Sequence, residues 1–191
     1  ALGLSMEVDV LAFTGSGGVG RRLLEYSARS NLKRVYLELG GKSPNIVFAD
    51  APDLDQAAKV AAYGIFRNSG QVCIAGSRLL VDAAIADDFA KRVAAIAEKI
   101  RVGDPLDLTT EAGAINSPAQ LSRNIGFVSR AAKEGARVLT GGDQILHETG
   151  GWYMSPTVLA NVSPTMEVAR QEVFGPVLSV IPFEDEAEAV R

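Results

Sequence analysis

The stretch "VDVLAFTGSGGVG" (residues 8–20) combines a short apolar run, a cluster of glycines and the beginning of an apolar pattern with helical spacing. The run at residues 8–13 predicts a β-strand, and "TGSGG" predicts a turn. A helix is then predicted from about residue 19 to residue 29. A strand that leads through a glycine-rich turn into a helix is the repeating unit of an α/β fold.

The same alternation continues along the rest of the chain. Strands are predicted at "RVYLEL", "NIVFA", "RLLVD", "ARVLT", "TVLANV" and "VLSVIPF". Helices are predicted after Asp53, after Ile85, from Ser117-Pro118 with serine as N-cap, and near Asp185. This order of elements predicts an α/β fold with a largely parallel sheet.

The composition argues against several classes of partner. The 191 residues are 47% hydrophobic and 22% charged, with a net charge of −4, which is ordinary for a soluble globular protein. We expect no nucleic acid or membrane partner, because the charge is negative and no apolar run reaches the roughly 18 residues of a membrane span. One Cys and one His allow neither an intrachain disulfide nor a zinc cluster. The chain starts without Met and stops within a predicted helix, so we expect it to be part of a longer protein.

Cys73, the only cysteine, lies in "NSGQVCIAGSR" (residues 68–78). The attacking form of a cysteine is the thiolate, so a nucleophilic role needs an environment that stabilises the anion. Gly70 and Gly76 would let the main chain turn closely around the sulfur. Cys73 is therefore a candidate nucleophile, and a buried structural cysteine is the competing interpretation.

Glu38 ends the predicted strand "RVYLEL", among leucines and glycines. We expect a carboxylate in such surroundings to be partly desolvated and thereby a better base. The competing interpretation is a glutamate at the end of a strand that points into solvent.

Two further segments are candidates for binding. The glycines of "FTGSGGVG" (residues 13–20) match the spacing G-x-G-x-x-G only without its context, so the segment predicts either an anion-binding turn or a plain connection. In "RQEVFGPV" (residues 170–177), a carboxylate suits sugar hydroxyls and an aromatic ring suits a flat heterocycle. An ordinary loop with one core Phe remains the alternative there.

Taken in order, "FTGS", "LELGGKSPNIVFADAPDLD", "GQVCIAGSR" and "QEVFGPV" resemble the aldehyde dehydrogenase superfamily, as do "SNLKRV" and "VGDPLD". The resemblance extends over the whole chain and is nearest to bacterial broad-substrate enzymes, among them those acting on γ-glutamylaminobutyraldehyde and other aminoaldehydes. It implies an aldehyde substrate, NAD or NADP as cofactor, a cytoplasmic location and a homodimeric or homotetrameric parent protein.

The resemblance also implies two catalytic and five cofactor-binding residues. Cys73 corresponds to the nucleophile, Glu38 to the general base, Gly15 and Ser16 to the turn beneath the pyrophosphate, Leu39 to a further cofactor contact, Glu172 to the acid on the nicotinamide ribose, and Phe174 to the ring beside the nicotinamide. Residues 1–40 would be the end of a Rossmann-type NAD(P)-binding domain, and residues 41–191 most of an α/β catalytic domain.

The chemistry implied by the family is oxidation through a cysteine thiohemiacetal and a thioester. The asparagine and the ribose-binding lysine of the family would precede Ala1, so we expect the isolated 191 residues to be inactive. Two alternatives remain open on the residues alone. One is a Cys/Glu thioester hydrolase or acyltransferase without a redox step, and the other is a non-catalytic structural or binding module.

Overall fold

Alternating strands and helices form two separate units in the computed structural model, Ala1–Gly41 and Lys42–Arg191, which together describe residues 1–191. Each unit contains parallel strands connected through helices. The α/β fold with a largely parallel sheet, predicted from the order of elements, is confirmed.

In the first unit, β1 (Val10–Gly15), α1 (Gly17–Ala28) and β2 (Arg34–Leu39) follow a 3-10 helix, Leu2–Leu4. β1 and β2 are parallel. The prediction of a glycine-rich turn is wrong, because Ser16 alone separates the strand from the helix. Its Oγ accepts a hydrogen bond from the backbone N–H of Val19 at 3.4 Å, so it caps α1 and lets the helix begin two residues early.

The second unit contains seven strands and five helices. They are β3 (Pro44–Val47), α2 (Leu54–Phe66), β4 (Arg78–Asp82), α3 (Ala86–Ala97), α4 (Pro118–Lys133), β5 (Arg137–Thr140), β6 (Gln144–Ile145), β7 (Tyr153–Met154), β8 (Thr157–Ala160), α5 (Glu167–Arg170), β9 (Val177–Phe183) and α6 (Glu186–Val190). Five strands form one sheet in the order β3-β4-β9-β8-β5, in which only β5 is antiparallel to its neighbour.

Helices cover both faces of this sheet. One core cluster joins α2 and α3 to Leu178 and Val180 of β9, and the other joins α4 and α5 to Val177 and Ile181 of the same strand. Burial on both faces explains why β9 reads as a nearly unbroken apolar run rather than an alternating one. β9 is therefore a central strand, and its residues are packed from both faces of the sheet.

The predicted helix starts are confirmed by their caps. Asp53 Oδ1 accepts from the N–H of Gln56 at 2.9 Å, and Ser117 Oγ accepts from the N–H of Gln120 at 3.2 Å. The β6–β7 hairpin and α5 had no prediction, because two-residue strands and a four-residue helix are too short to show a period. No helix combines the length and the apolar character needed to cross a membrane.

Candidate active site

Two of the segments with candidate residues meet a third segment, residues 42–43, at one edge of the five-stranded sheet. β3, β4 and β9 are adjacent and parallel, so the residues just before them lie side by side. The N–H of Arg78 donates to the carbonyl of Ser43 (3.2 Å), and the N–H of Ser179 donates to the carbonyl of Ser77 (3.0 Å). The segments 42–43, 71–77 and 172–176 are thereby joined at the amino ends of the strands.

Cys73 lies in a tight turn within this edge. The N–H of Ala75 donates to the carbonyl of Val72 at 3.1 Å, which makes Cys73 the first central residue of the turn. The cysteine is half-buried, whereas Ile74 beside it is 77% exposed. The backbone N–H of Cys73 donates to no other group of the chain, so it is free to stabilise an anion at the thiol.

The backbone that leads to this turn is held in a left-handed conformation. Asn68, Ser69 and Gly70 have φ values of 52°, 54° and 68°. A side chain in this region costs roughly 1–2 kcal/mol per residue, and the conformation persists only where neighbouring contacts impose it. Those contacts are present, because buried Ser69 donates from Oγ to the carbonyl of Gly113 (2.7 Å) and Gln71 Oε1 accepts from the N–H of Asn116 (2.9 Å).

The segment before β9 is also strained and firmly anchored. Phe174, a bulky residue, has a φ of 58°, and both it and Glu172 are half-buried. Gln120 of α4 donates from Nε2 to the carbonyl of Val173 at 2.8 Å. No lysine or arginine nitrogen lies within 4.0 Å of the Glu172 carboxylate. The backbone beside Glu172 is thus anchored, while the Glu172 carboxylate itself has no ion pair.

Lys42 joins this edge, although sequence reasoning singled out its neighbourhood only as a domain boundary. Its carbonyl accepts from Arg78 Nε at 2.8 Å. Part of the side chain is accessible, but Nζ is buried and has no hydrogen-bond partner. Burial and the nearby positive charge of Arg78 lower the pKa of Lys42 to about 8, against an opposing effect of Glu172.

The first unit gathers the other candidates at the carboxyl ends of its two strands. Gly15 pairs with Leu39, Thr14 pairs with Glu38, and Ser16 follows directly as the cap of α1. Glu38 is exposed, which corrects the expectation of a partly desolvated carboxylate, because the side chains flanking it do not cover it.

The glycine spacing that was weak evidence in the sequence has a packing role at its third position. A Cβ on Gly20 would lie 2.9 Å from Leu39 Cδ2, so glycine allows α1 to approach β2 closely. Gly17 is half-buried and Gly18 is exposed at the start of α1, and no backbone hydrogen bond within the chain uses their N–H groups. This is the arrangement in which a helix N-terminus binds a phosphate.

Comparison with known proteins supplies the family. The model of the aldehyde dehydrogenase family matches residues 1–191. An aldehyde dehydrogenase of Emericella nidulans is 47% identical over the whole chain and 38% of its own length. The γ-glutamyl-γ-aminobutyraldehyde dehydrogenase of Burkholderia cenocepacia is 51% identical with a TM-score of 0.94, over 99% of this chain and 38% of that one.

A crystal structure of indole-3-acetaldehyde dehydrogenase in complex with NAD+ is 48% identical with a TM-score of 0.96, over 99% of this chain and 38% of that chain. The chain thus spans a little over a third of the length of the relatives it matches. The resemblance predicted from the motifs is confirmed, and the chain belongs to the aldehyde dehydrogenase family.

Proposed function

We propose that the protein containing these residues oxidises an aldehyde to a carboxylic acid, with NAD+ or NADP+ as the hydride acceptor. Family membership over all 191 residues carries this proposal. The turn at Cys73 supports it, because it combines an accessible thiol with a free backbone N–H. We propose further that the parent protein is cytoplasmic and is a homodimer or homotetramer; light scattering of the purified protein would test the oligomeric state.

The residues of the first unit fit a dinucleotide. The exposed start of α1, after Gly15 and Ser16, provides unpaired N–H groups and the positive end of a helix dipole, which suit a pyrophosphate. We assign Leu39 to a further cofactor contact, Glu172 to the hydroxyls of the nicotinamide ribose and Phe174 to the nicotinamide ring. When bound, the cofactor accepts the hydride that leaves the substrate carbon.

Cys73 acts as the nucleophile in this proposal. Its thiolate adds to the carbonyl carbon of the aldehyde, a carbon–sulfur bond forms, and the carbonyl electron pair moves onto oxygen. The N–H of Cys73 donates a hydrogen bond to that oxyanion. Collapse of the oxyanion expels hydride and leaves a thioester on Cys73. A thiol suits both steps, because sulfur attacks readily and also leaves readily.

Glu38 acts as the general base that completes the cycle. Its carboxylate takes a proton from a water molecule, and the resulting hydroxide attacks the thioester carbon. The carboxylic acid then leaves and the Cys73 sulfur is released. An exposed carboxylate at the end of β2 has the accessibility to water that this step requires.

The test uses the full-length protein with NAD+ or NADP+ and a panel of aldehydes. The panel includes aminoaldehydes, because an aminoaldehyde dehydrogenase of Zea mays is 45% identical over 96% of the chain and 36% of its own length. Formation of reduced cofactor, measured by absorbance, is expected and is expected to vanish in Cys73→Ser. Thioester hydrolysis without any reduced cofactor would replace this proposal with a non-redox hydrolase. We expect the isolated 191-residue chain to show no oxidation.

A further inference from the structure

Two buried lysines of this chain have opposite surroundings. Lys33 is 4% exposed, and its Nζ donates to the carbonyl of Gly3 at 3.0 Å and to Ser30 Oγ at 2.6 Å. Its charge is thus satisfied by the fold itself. Lys42 Nζ is also buried, but it donates to no group of the chain. A buried ammonium without a partner is costly, so a purely structural role does not account for Lys42.

The charges around Lys42 indicate the group on which it acts. Arg78, at the start of β4, and Glu172, before β9, are the charged groups that affect it. The repulsion from Arg78 disfavours a second cation there, so only the attraction of Glu172 favours a charged Lys42. The Lys42 ammonium and the Glu172 carboxylate are not in contact, because no salt bridge of 4.0 Å or less joins them.

We propose that Lys42 is a positioning residue for the cofactor site, whose ammonium group draws the Glu172 carboxylate to the place from which it accepts hydrogen bonds from a ribose hydroxyl. This inference rests on the proposed function, since it assumes that Glu172 binds the cofactor. Lys42 and Glu172 lie at the same amino-terminal edge of one parallel sheet, because residues 42–43 precede β3, residues 172–176 precede β9, and only β4, with Arg78 at its start, separates the two strands. Anchoring of Val173 by Gln120 limits the motion of Glu172 to its side chain.

The pH dependence of cofactor binding follows from the charge on Lys42. The pKa of Lys42 is lowered to about 8 by its burial, with Arg78 adding to the effect, so the ammonium is present at pH 7 and absent at pH 9.5. Affinity for NAD+ is therefore strong below pH 8 and falls above it.

The experiment measures the dissociation constant of NAD+ for the full-length protein between pH 6.5 and about 9.5, without aldehyde. In the wild type the constant rises about tenfold across this range, as expected for the loss of one charge-assisted contact. In Lys42→Met it is about tenfold higher at pH 7 and does not change with pH. Lys42→Arg keeps the low constant and loses the pH dependence, because a guanidinium stays charged.

Lys33→Met is the matched control. It removes a buried lysine whose partners are backbone and hydroxyl oxygens, so it should lower the free energy of unfolding and leave the pH dependence of NAD+ binding unchanged. Equal NAD+ affinity and equal pH dependence in wild type and Lys42→Met would overturn the inference alone. Binding of neither NAD+ nor NADP+ by the wild type would overturn the proposed function as well.

A second readout needs no cofactor. The NMR chemical shifts of the Lys42 side chain, followed over a range of pH, report the proton equilibrium of its amine. Glu172→Gln removes the only nearby negative charge, so the midpoint of this titration should move to lower pH. An unchanged midpoint in Glu172→Gln would show that the two residues are not coupled and would overturn the inference.

Discussion

The backbone of Gly70 lies directly against the carbonyl group of Gly175. A Cβ on Gly70 would collide with that carbonyl and would lie 2.8 Å from the nitrogen of Pro176. Gly175 is itself pressed against the buried side chain of Asn124. The segment that leads to Cys73 and the segment that holds Glu172 and Phe174 are therefore packed as one unit, and a change in one displaces the other.

Gly70→Ala tests this packing. The substitution adds a methyl group where a φ of 68° disfavours any side chain and where the carbonyl of Gly175 fills the space. We expect the free energy of unfolding to fall by about 2–4 kcal/mol in urea titrations. Activity should fall further than unfolding explains, because Cys73 is displaced.

Gly64→Ala is the control for the glycine substitution. Gly64 lies on the exposed side of α2, and a Cβ there meets nothing within 4 Å. The substitution should stabilise the protein by about 0.5–1 kcal/mol, the usual gain from alanine within a helix. Equal effects of the two substitutions would contradict the close contact of Gly70 with Gly175.

Gln120→Met tests the anchor of the Glu172 segment. It removes the amide that donates to the carbonyl of Val173 and keeps a side chain of similar length. We expect a loss of about 1–2 kcal/mol in stability and a several-fold rise in the KM for NAD+. Gln144→Met removes a similar hydrogen bond, which the side-chain amide of Gln144 donates to the carbonyl of Gly151 in the β6–β7 hairpin. This substitution should leave the KM for NAD+ unchanged. A similar rise in both variants would argue against the anchoring role.

Lys42→Met should raise stability at neutral pH. The folded protein has a lowered Lys42 pKa of about 8 against an ordinary 10.5, because the amine is buried. The unfolded chain then binds more protons between pH 8 and 10.5, so the free energy of unfolding of the wild type rises with pH in that window. Below pH 8 the cost of burying the charge is fully present and amounts to about 3 kcal/mol at 1.4 kcal/mol per pKa unit.

The measurement is urea unfolding at several pH values. Lys42→Met is expected to be more stable than the wild type at pH 7 by up to about 3 kcal/mol and to lack the rise above pH 8. Lys59→Met, on the exposed face of α2, removes the same charge without a burial effect and should change stability by less than about 0.5 kcal/mol. A less stable Lys42→Met would mean that Nζ has a partner in solution.

Glu38→Gln should separate the two halves of the proposed reaction. Attack by Cys73 and hydride transfer do not need a base at position 38, whereas hydrolysis of the thioester does. We expect one rapid turnover of reduced cofactor followed by steady-state oxidation slowed by about 10²–10⁴-fold, as measured by stopped-flow absorbance. A rapid phase lost together with the steady state would assign Glu38 to the first half instead.

Most of the elements of the fold could be predicted from local patterns. The strand "RVYLEL" has the predicted bounds and the helix after Ser117 begins where it was predicted, because apolar periodicity and an N-cap serine act within a few residues. The predicted turn at residues 14–18 is wrong, because Ser16 caps the helix directly after the strand and the glycines that follow lie within the helix.

The candidate site was only partly predictable. Cys73, Glu38, Glu172 and Phe174 were singled out from residue type and from likeness to a family, both of which are local properties of the chain. Residue type and family likeness could not predict that Glu38 is exposed or that Lys42 Nζ is buried without a partner, because burial depends on which distant segments cover a side chain.

The sequence by itself determined which segments become strands and helices, which family the chain belongs to, and which residue types are available for chemistry. Only the tertiary structure decided that Gly70 meets Gly175 and that Lys42 shares a sheet edge with Glu172. The reason is physical: periodicity and caps act over one or two turns of chain, whereas the order β3-β4-β9 places residues about 100 positions apart side by side through packing on both faces of the sheet.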